Sequence, residues 1–317
     1  MIITMKKIVL LLAAVCCVAS VNAGERRIAS PDGRLEVVVS DDGGRATYSV
    51  TYDGEVFLKP SPLGLRTNVG DFTQGLTLGE ESEMTAVDET YNLKNIKKST
   101  VHYVANRVRV PFVKEGKTVF DVEFSVGNND VAFRYNLHRA GEPRCCVVES
   151  EATGFRMADG TTTFLCPQSG AMGGFARTTP SYETPYTVDD AMGKNGFGEG
   201  YSFPCLFRNG DKGWVLISET GVDSYYCASR LMGAADGLYT IGFPQQAEFN
   251  GNGTAAPGVT LPGRTPWRTV TVGATLAPIM ETTVPFDVVE RRYEPSKDYA
   301  AEYGCGTWSW IIAGDGS

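Results

Sequence analysis

Histidine and the usual signatures of catalytic sites are scarce in this sequence. Its 317 residues include only two histidines, His102 and His138, and each lies within a strand-like pattern. A serine or cysteine protease relay needs a placed base, and neither histidine lies in such a motif. The sequence also lacks an HExxH zinc motif, a GxxxxGKS/T phosphate loop and any CxxC pair. We therefore expect both histidines to be partnered strand residues, and these enzyme and zinc-protein classes are excluded.

Long basic runs are missing as well, and the balance of charge is acidic. The formal net charge is -8, and charged residues make up 21% of the chain. A chain without a basic stretch lacks the electrostatic footprint of a nucleic-acid or anionic-membrane binder, so we expect neither as the main partner. Hydrophobic residues make up 42%, and the chain has 36 glycines and 16 prolines. This composition favours a folded protein rich in turns and strands.

The amino terminus has an apolar run that is too short to cross a membrane. The run covers residues 8–18, follows two lysines and precedes a small-residue site that ends at Ala23. A membrane-spanning helix needs about 20 apolar residues, whereas this order is typical of a secretory signal peptide. We therefore predict that residues 1–23 are a signal peptide, that the protein is exported, and that it has no membrane span.

Cysteine usage does not indicate a disulfide framework. Six of the eight cysteines follow the predicted signal peptide. Export permits disulfides, but a chain of this length can bury a core without them. Adjacent Cys145 and Cys146 would face opposite sides of a strand, so we expect no bond between them. Buried thiols are the predicted state of most of these residues.

Alternation with a period of two residues is the main structural signal in residues 24–278. It covers residues 120–126 and 131–137, which predicts two strands with one buried face each. Asp53-Gly54 and Asn209-Gly210-Asp211 are turn signals of the kind that join hairpin strands. The other strands are predicted at residues 34–40, 46–52, 55–58, 163–166, 202–207, 214–219, 238–243 and 268–276. The sequence thus predicts an all-β fold, a large antiparallel sandwich over residues 24–278.

Two long segments lack this alternation. Residues 169–200 are rich in glycine, threonine and proline, and they include aromatic residues such as Tyr182, Tyr186 and Phe197. A loop of this length in a compact domain is usually functional or disordered, and its aromatic content favours an ordered, functional loop. Residues 250–266 have fewer aromatics, and we predict that they form a surface excursion.

The pattern changes after residue 278. Residues 281–289 and 297–303 are predicted to form short helices, and residues 304–312 have the composition of a buried strand. Because a hydrophobic strand needs neighbours at its edges, this one is interpreted as part of a further domain. We predict a helical linker over residues 279–303 and the first strand of a truncated domain over residues 304–317.

A single carboxylate in the long loop is the best candidate site. Glu183 lies between two tyrosines and two prolines in the sequence TPSYETPY of residues 179–186. Prolines restrict the local backbone, aromatic faces suit sugar rings, and a carboxylate accepts hydrogen bonds from sugar hydroxyls. A carboxylate on a rigid loop also suits calcium, which takes oxygen ligands. The residues alone leave open a sugar-binding residue, a calcium ligand and a solvated loop residue.

Three motifs give the chain a resemblance to glycoside hydrolase family 97. They are SPDGR at residues 30–34, PSYE at residues 180–183 and TWSW at residues 307–310. The resemblance covers about residues 25–317 and implies a bacterial α-glucosidase or α-galactosidase, exported to the periplasm or the cell surface. It also implies a β-super-sandwich, linker helices and a catalytic (β/α)8 barrel, of which this chain would hold only the first strand.

The roles that the resemblance implies fall on three residues. Glu183 matches a glutamate that the N-terminal domain of the α-glucosidase members contributes to a calcium ion in the active site. Trp308 and Trp310 match the tryptophan motif of the first barrel strand, and one of them would line the sugar pocket. Calcium is thus the implied cofactor, and an oligosaccharide or α-glycoside is the implied substrate. The implied partner is the chain's own downstream barrel, and the catalytic acid and base would lie there.

The favoured prediction is an N-terminal domain that completes the active site of a calcium-dependent α-glycosidase and is inactive alone. Glycoside hydrolysis needs two carboxylates that flank the scissile bond, and a complete barrel needs about 250 residues. The alternative is a stand-alone carbohydrate-binding β-sandwich, in which the tyrosine-rich loop is the whole binding site. A purely structural role is the third alternative.

Overall fold

The computed structural model describes residues 24–94, 96–139, 141–168, 185–233, 236–244, 255–292, 302 and 304–306. The predicted signal peptide lies outside these ranges. The predicted helix at residues 297–303 and the predicted strand at residues 304–312 lie mostly outside them. The division of the chain at residues 278 and 303 therefore stays a prediction.

The described residues form strands β1–β22, a short 3-10 turn and two short helices. The first eleven strands are β1 (Glu25–Ala29), β2 (Leu35–Ser40), β3 (Thr47–Tyr52), β4 (Glu55–Pro62), β5 (Leu65–Thr67), β6 (Gly70–Phe72), β7 (Thr77–Leu78), β8 (Thr85–Asn92), β9 (Thr100–Lys114), β10 (Lys117–Gly127) and β11 (Asp130–Leu137). The others are β12 (Cys145–Glu151), β13 (Gly154–Met157), β14 (Thr161–Pro167), β15 (Asp190–Ala191), β16 (Tyr201–Asn209), β17 (Gly213–Thr220), β18 (Arg230–Gly233), β19 (Leu238–Gly242), β20 (Gly258–Thr260), β21 (Gly263–Arg264) and β22 (Trp267–Gly273). The 3-10 turn is Asp42–Gly44, and the helices are α1 (Leu276–Glu281) and α2 (Val284–Asp287).

Eighteen of these strands form one continuous antiparallel sheet that folds into two layers. In the first layer the pairing order is β8–β9–β10–β11–β22–β17–β16–β14–β15. In the second layer it is β1–β2–β3–β4–β13–β19–β18. The layers join where Tyr201 of β16 pairs with Leu231 of β18. Strands β20, β12, β5 and β6 form a separate small sheet. The predicted all-β antiparallel sandwich is confirmed.

The main core fills the space between the two layers. Val131, Phe133 and Tyr135 are fully buried in it, as the alternation in residues 131–137 predicts. The rings of Tyr48 in β3 and Phe133 in β11 lie 5.0 Å apart, so this contact ties the layers together. The Tyr48 hydroxyl donates to the carbonyl oxygen of Gly154 at 3.0 Å, which satisfies its one polar atom inside the core.

The hairpin turns follow their sequence signals. Asp53 and Gly54 have φ angles of 51° and 78°, the left-handed pair that a two-residue type I′ turn requires. Tyr52 pairs with Glu55 across this turn. The second predicted turn also forms, because Asn209 pairs with Gly213 where β16 meets β17.

Strand β22 ends earlier than the sequence predicts. The predicted strand covers residues 268–276, whereas β22 ends at Gly273 and α1 begins at Leu276. Thr275 caps α1, since its Oγ1 accepts a hydrogen bond from the Ala277 amide at 3.3 Å. The prediction is wrong at this end because a threonine that suits a strand also suits a helix cap.

A second, smaller core lies on the other face of the first layer. We call residues 276–289, which include both helices, the strap. Val284 and Val288 of the strap pack with Tyr103 and Trp267 in this cluster, and Ala132 of β11 belongs to it as well. Ala132 alternates with Val131 and Phe133 of the main core, so the strap covers the opposite face of the sheet.

The predicted surface excursion at residues 250–266 is wrong for its described part. Strand β20 pairs with β12, and β21 pairs with β11. Val259 and Leu261 are buried, so this segment closes one side of the main core. A pairing partner more than a hundred positions away gives no local signal in the sequence.

All six cysteines after residue 23 are free thiols. Cys145 is exposed and Cys146 is buried, which confirms that the two face opposite sides of β12. Cys166 and Cys205 are also buried, and Cys227 is half-buried. Within the described ranges, neither helix has the length and apolar character that a membrane crossing requires.

Candidate functional site

The three residues that the sequence singles out lie outside the described residues. Glu183, Trp308 and Trp310 are therefore not placed by the structure, and neither are the contacts among them. The structure does describe the protein on both sides of the loop that carries Glu183. The description stops at Gln168 after β14 and resumes at Pro185. These flanking residues are the frame from which the candidate site is built.

The described residues on both sides of the gap at residues 169–184 are anchored near the end of β14. On the returning side, Thr187 donates its amide to the Leu165 carbonyl at 2.8 Å and accepts the Leu165 amide on its Oγ1 at 2.7 Å. On the departing side, the Gln168 amide donates to the Gly200 carbonyl at 2.9 Å. The Gln168 side chain also donates to the Ser202 hydroxyl at 3.1 Å. Gln168 and Thr187 are thus both fixed within a few residues of the end of β14.

Acidic residues of the returning segment are paired with bases and hydroxyls. Thr162 donates to Asp189 at 2.5 Å, and Arg208 forms an ion pair with the same carboxylate. Asp190 bonds Lys194 at 2.6 Å, and this hydrogen bond holds the pKa of Asp190 below its ordinary value. Asp190 and Ala191 form β15, which pairs with β14. These carboxylates position the segment through ion pairs and hydrogen bonds at the protein surface.

The turn after β15 is fixed by an asparagine and a glycine. The Asn195 side chain donates to the Gly198 carbonyl at 2.9 Å and accepts the Gly233 amide at 2.7 Å. Gly200 has a φ angle of +80°, and a Cβ there would lie 2.5 Å from the Leu231 carbonyl oxygen. No side chain fits at that position, so the turn packs closely on β18.

Large apolar side chains are exposed beside the frame. Tyr186 and Phe197 are each 66% exposed, and Val188 is 76% exposed. Exposed aromatic side chains on anchored backbone are features of carbohydrate sites and of interfaces between protein domains. The frame therefore combines a fixed backbone, ion-paired carboxylates and exposed aromatic side chains, and part of it is close to Glu183 in the sequence.

A calcium cage is not found among the described residues. No group of three or more histidine, cysteine, aspartate or glutamate side chains in the described ranges is placed to hold a metal ion. Calcium takes six to eight oxygen ligands, so one glutamate from this chain would be a minority of the set. The described residues alone do not fit the ion that the resemblance implies.

Neither histidine belongs to a catalytic relay. His102 lies 2.7 Å from Asp88 across the β8–β9 pair. His138, which follows β11, lies 2.7 Å from Asp121 of β10. Each is paired with one carboxylate, as expected of partnered residues.

The sequence interpretation missed a buried ionic cluster. Arg268 donates to both carboxylate oxygens of Glu151, at 2.9 Å and 2.6 Å, and it also pairs with Glu219. Ser229 donates its amide to Glu219 at 2.8 Å, and Tyr226 donates to Glu151 at 3.2 Å. Burial opposes the arginine charge, but the two carboxylates raise its pKa above the ordinary value.

A signal for this cluster exists in the sequence. Arg268 is in phase with Val270 and Val272 of β22, which belong to the main core. Glu219 is likewise in phase with Val215 and Ile217 of β17. A charged residue at a core position of a strand requires a buried partner. Strands β17 and β22 pair with each other, which places Glu219 opposite Arg268.

Comparisons with known proteins identify the family. The profile of the family described as glycosyl-hydrolase 97 N-terminal matches residues 28–290. Among solved structures, a β-arabinopyranosidase is 50% identical with a TM-score of 0.82, covering 86% of this chain and 44% of that one. A glycoside hydrolase family 97 enzyme of Pseudoalteromonas in complex with panose is 20% identical with a TM-score of 0.70, over 84% of this chain and 38% of that one. At that identity the likeness shows the fold alone.

Two curated relatives are named as α-galactosidases. A probable retaining α-galactosidase of Streptomyces bingchenggensis is 27% identical over 92% of this chain and 41% of its own length. A retaining α-galactosidase of Bacteroides thetaiotaomicron is 28% identical over 70% of this chain and 32% of its own length. The chain thus spans about two fifths or less of the curated relatives that it matches. With the profile match over residues 28–290, the chain belongs to the glycosyl-hydrolase 97 N-terminal family.

Proposed function

We propose that this chain is the N-terminal domain of a longer glycoside hydrolase that removes terminal α-galactosyl or β-L-arabinopyranosyl groups. The observation that carries the proposal is the 50% identity with the β-arabinopyranosidase. The relatives named α-galactosidases support the same choice. A β-L-arabinopyranoside has the ring configuration of an α-D-galactopyranoside and lacks only its hydroxymethyl group. A site for one sugar therefore suits the other, whereas an α-glucoside differs at C4.

In this proposal the sandwich does not perform hydrolysis by itself. Hydrolysis of a glycoside needs two carboxylates on either side of the scissile bond. Asp189 and Asp190 of the described frame are engaged by Arg208 and Lys194. The catalytic pair is therefore assigned to a downstream (β/α)8 barrel, and the sandwich serves to hold the Glu183 loop against it.

Glu183 is proposed as a ligand that this domain contributes to a calcium ion shared with the barrel. The support is the resemblance around residues 180–183 and the fit of a carboxylate to a calcium site. Trp308 and Trp310 are proposed to line the sugar pocket on the same grounds. Export to the periplasm or the cell surface is proposed from the signal-like residues 1–23.

The first experiment tests where catalysis takes place. The chain alone, incubated with 4-nitrophenyl α-D-galactopyranoside and 4-nitrophenyl β-L-arabinopyranoside, should release no nitrophenol. If the chain alone turns over either substrate, and Glu183→Ala abolishes that turnover while the exposed Glu142→Ala does not, catalysis lies in this chain and the proposal is wrong.

The second experiment tests the substrate class and the reading frame. The coding sequence should continue past codon 317 into barrel units. The longer product should show higher kcat/KM on the galactoside and the arabinopyranoside than on 4-nitrophenyl α-D-glucopyranoside. A stop codon after Ser317, with tight binding of galactose by the chain in isothermal titration, would favour a stand-alone binding module instead.

A further inference from the structure

The strap is attached to the sandwich through two carboxylates as well as through its apolar contacts. Asp130, at the start of β11, accepts hydrogen bonds on one oxygen, Oδ1, from two threonine hydroxyls. One is Thr271 of β22, and the other is Thr282 of the strap, at 2.7 Å. Asp130 thus links the sheet to the residue between the two helices.

The second carboxylate belongs to the strap itself. Asp287 of α2 accepts a hydrogen bond from the Tyr91 hydroxyl of β8 at 2.5 Å. The hydroxyl of Thr283 donates to the same carboxylate at 3.1 Å. The Arg107 side chain of β9 donates to the Asp287 carbonyl at 3.4 Å, and Lys98 pairs with Glu281 of α1 at 3.1 Å. The β8–β9 hairpin therefore holds the strap from its outer side.

The charges around Asp130 come from every element packed at this junction. Asp287 of α2 disfavours a negative charge on Asp130, and Lys97 of the β8–β9 connection favours it. Around Asp287, Lys98 and Arg107 favour the negative charge, and Tyr91 and Thr283 donate hydrogen bonds to it. Glu281 is engaged with Lys98. Two half-buried acids thus lie at the junction between the strap and the sheet.

We propose that the attachment of the strap to the sandwich depends on pH. The strap attaches more firmly when Asp130 is protonated than when it is ionised. Both threonine hydroxyls donate to Oδ1, so a proton on Oδ2 leaves both hydrogen bonds in place. Protonation also removes the repulsion by Asp287. The neutral form keeps its contacts and avoids the cost of a partly desolvated charge. This inference does not depend on the proposed sugar chemistry.

The direction of the pH effect follows from the proton affinity of the attached state. Burial, with a further contribution from Asp287, raises the pKa of Asp130 from 3.8 to about 6. A carboxyl that is released into water returns to its ordinary range, so attachment is strongest below that range and weakens as the pH rises toward 6. Between pH 5 and pH 7.5, this linkage makes detachment about tenfold more favourable.

Hydrogen exchange at the strap measures this effect. The amides of Phe286, Asp287 and Val288 donate within the strap, so their protection reports its attachment. After correction for intrinsic exchange rates, the protection factors of these amides should be about tenfold lower at pH 7.5 than at pH 5. Equal protection at the two pH values would overturn the proposal.

Asp130→Asn isolates the titrating group. Its amide oxygen can accept both threonine hydroxyls, and it carries no charge at any pH. Protection of the strap in this variant should be independent of pH and should match the unaltered chain at pH 5. Asp42→Asn, which neutralises an exposed aspartate in the 3-10 turn, should keep the dependence of the unaltered chain. A pH dependence that persists in Asp130→Asn would contradict the proposal.

A second measurement tests the proposal even if Asp130→Asn fails to fold. Carboxyl carbon NMR of the unaltered chain should show one aspartate that titrates near pH 6, and it should be perturbed by Thr282→Val. In Thr282→Val the strap loses its hydroxyl to Asp130, so its protection should fall at both pH values. If every aspartate titrates below pH 5, the proposal is wrong.

Discussion

Arg268 is a fully buried cation whose neighbours carry more negative charge than it can neutralise alone. Its side chain has no exposed surface, and neither does that of Glu151, while Glu219 is 9% exposed. The Ser229 amide donates to Oε1 of Glu219, the oxygen that Arg268 does not contact. Tyr226 adds a hydrogen bond to Glu151. Such a cluster is stable only as a complete set, because each member removed leaves a charge without its partner.

At the residue scale, we therefore expect Arg268→Met to be strongly destabilising. The methionine fills part of the volume but leaves Glu151 and Glu219 buried and unpaired, which should cost about 3–5 kcal/mol of unfolding free energy. Urea denaturation followed by fluorescence measures this loss.

The matched control is Arg66→Met, which breaks an exposed ion pair with Asp71. It should leave the urea midpoint nearly unchanged, because exposed pairs are screened by water. Similar effects of the two substitutions would show that the buried cluster has no special weight in stability.

At the element scale, the β3–β4 hairpin depends on a left-handed turn. Gly54 has a φ angle of +78°, and a Cβ at that position would meet nothing within 4 Å. Gly54→Ala should therefore cost about 1–2 kcal/mol from backbone strain alone, with no clash. Thermal or urea unfolding measures this loss of unfolding free energy directly.

Gly258→Ala in β20 separates strain from the general effect of removing a glycine. Its Cβ would also meet nothing within 4 Å, but its backbone is not left-handed. This substitution should be neutral or slightly stabilising, since it reduces the freedom of the unfolded chain. Equal losses in both variants would refute the assignment of the cost to the turn.

Strand β9 shows why some elements could not be predicted from the sequence. Its buried residues are Val101, Tyr103 and Ala105 in the first half, but Val108, Val110 and Phe112 in the second half. The buried face switches because the first half packs under the strap and the second half packs in the main core. The apolar pattern therefore changes phase inside one strand. Residues 120–126 of β10 and 131–137 of β11 were predictable because the main-core residues keep one phase over each of these segments.

The contacts of the candidate site likewise depend on residues that lie far apart in the sequence. The prediction that residues 169–200 form an ordered, functional loop rests on their length and aromatic content, and residues 169–184 of that segment lie outside the described residues. The contacts that fix its ends, such as Thr187 with Leu165, depend on pairing between segments some twenty positions apart. The hydrogen bond between Asp130 and Thr282 forms because the strap folds back over the sheet. No local pattern in the sequence predicts such a contact.

At the scale of the whole molecule, we expect calcium to have little effect on the chain by itself. The described residues contain no cluster of three ligating side chains, and Glu183 alone is a small part of a calcium site. A complete site would raise the melting temperature through ligand binding. Millimolar calcium should instead shift it by less than about 1 °C in differential scanning fluorimetry.

The same titration in the longer product should give a clear rise that Glu183→Gln reduces. A rise in the chain alone that Glu183→Gln removes would place a complete calcium site within this chain. That result would contradict the proposal that the ion is shared with the barrel.

The cysteines differ in reactivity because their thiols are buried to different degrees. Burial raises the pKa of Cys146, Cys166 and Cys205, so these sulfurs are poor nucleophiles as well as inaccessible ones. Cys145 and Cys305 are exposed. Among the described cysteines, a maleimide dye added to the native protein should therefore label Cys145 and Cys305 in preference to the buried thiols, which provides handles for spectroscopy without any engineered cysteine.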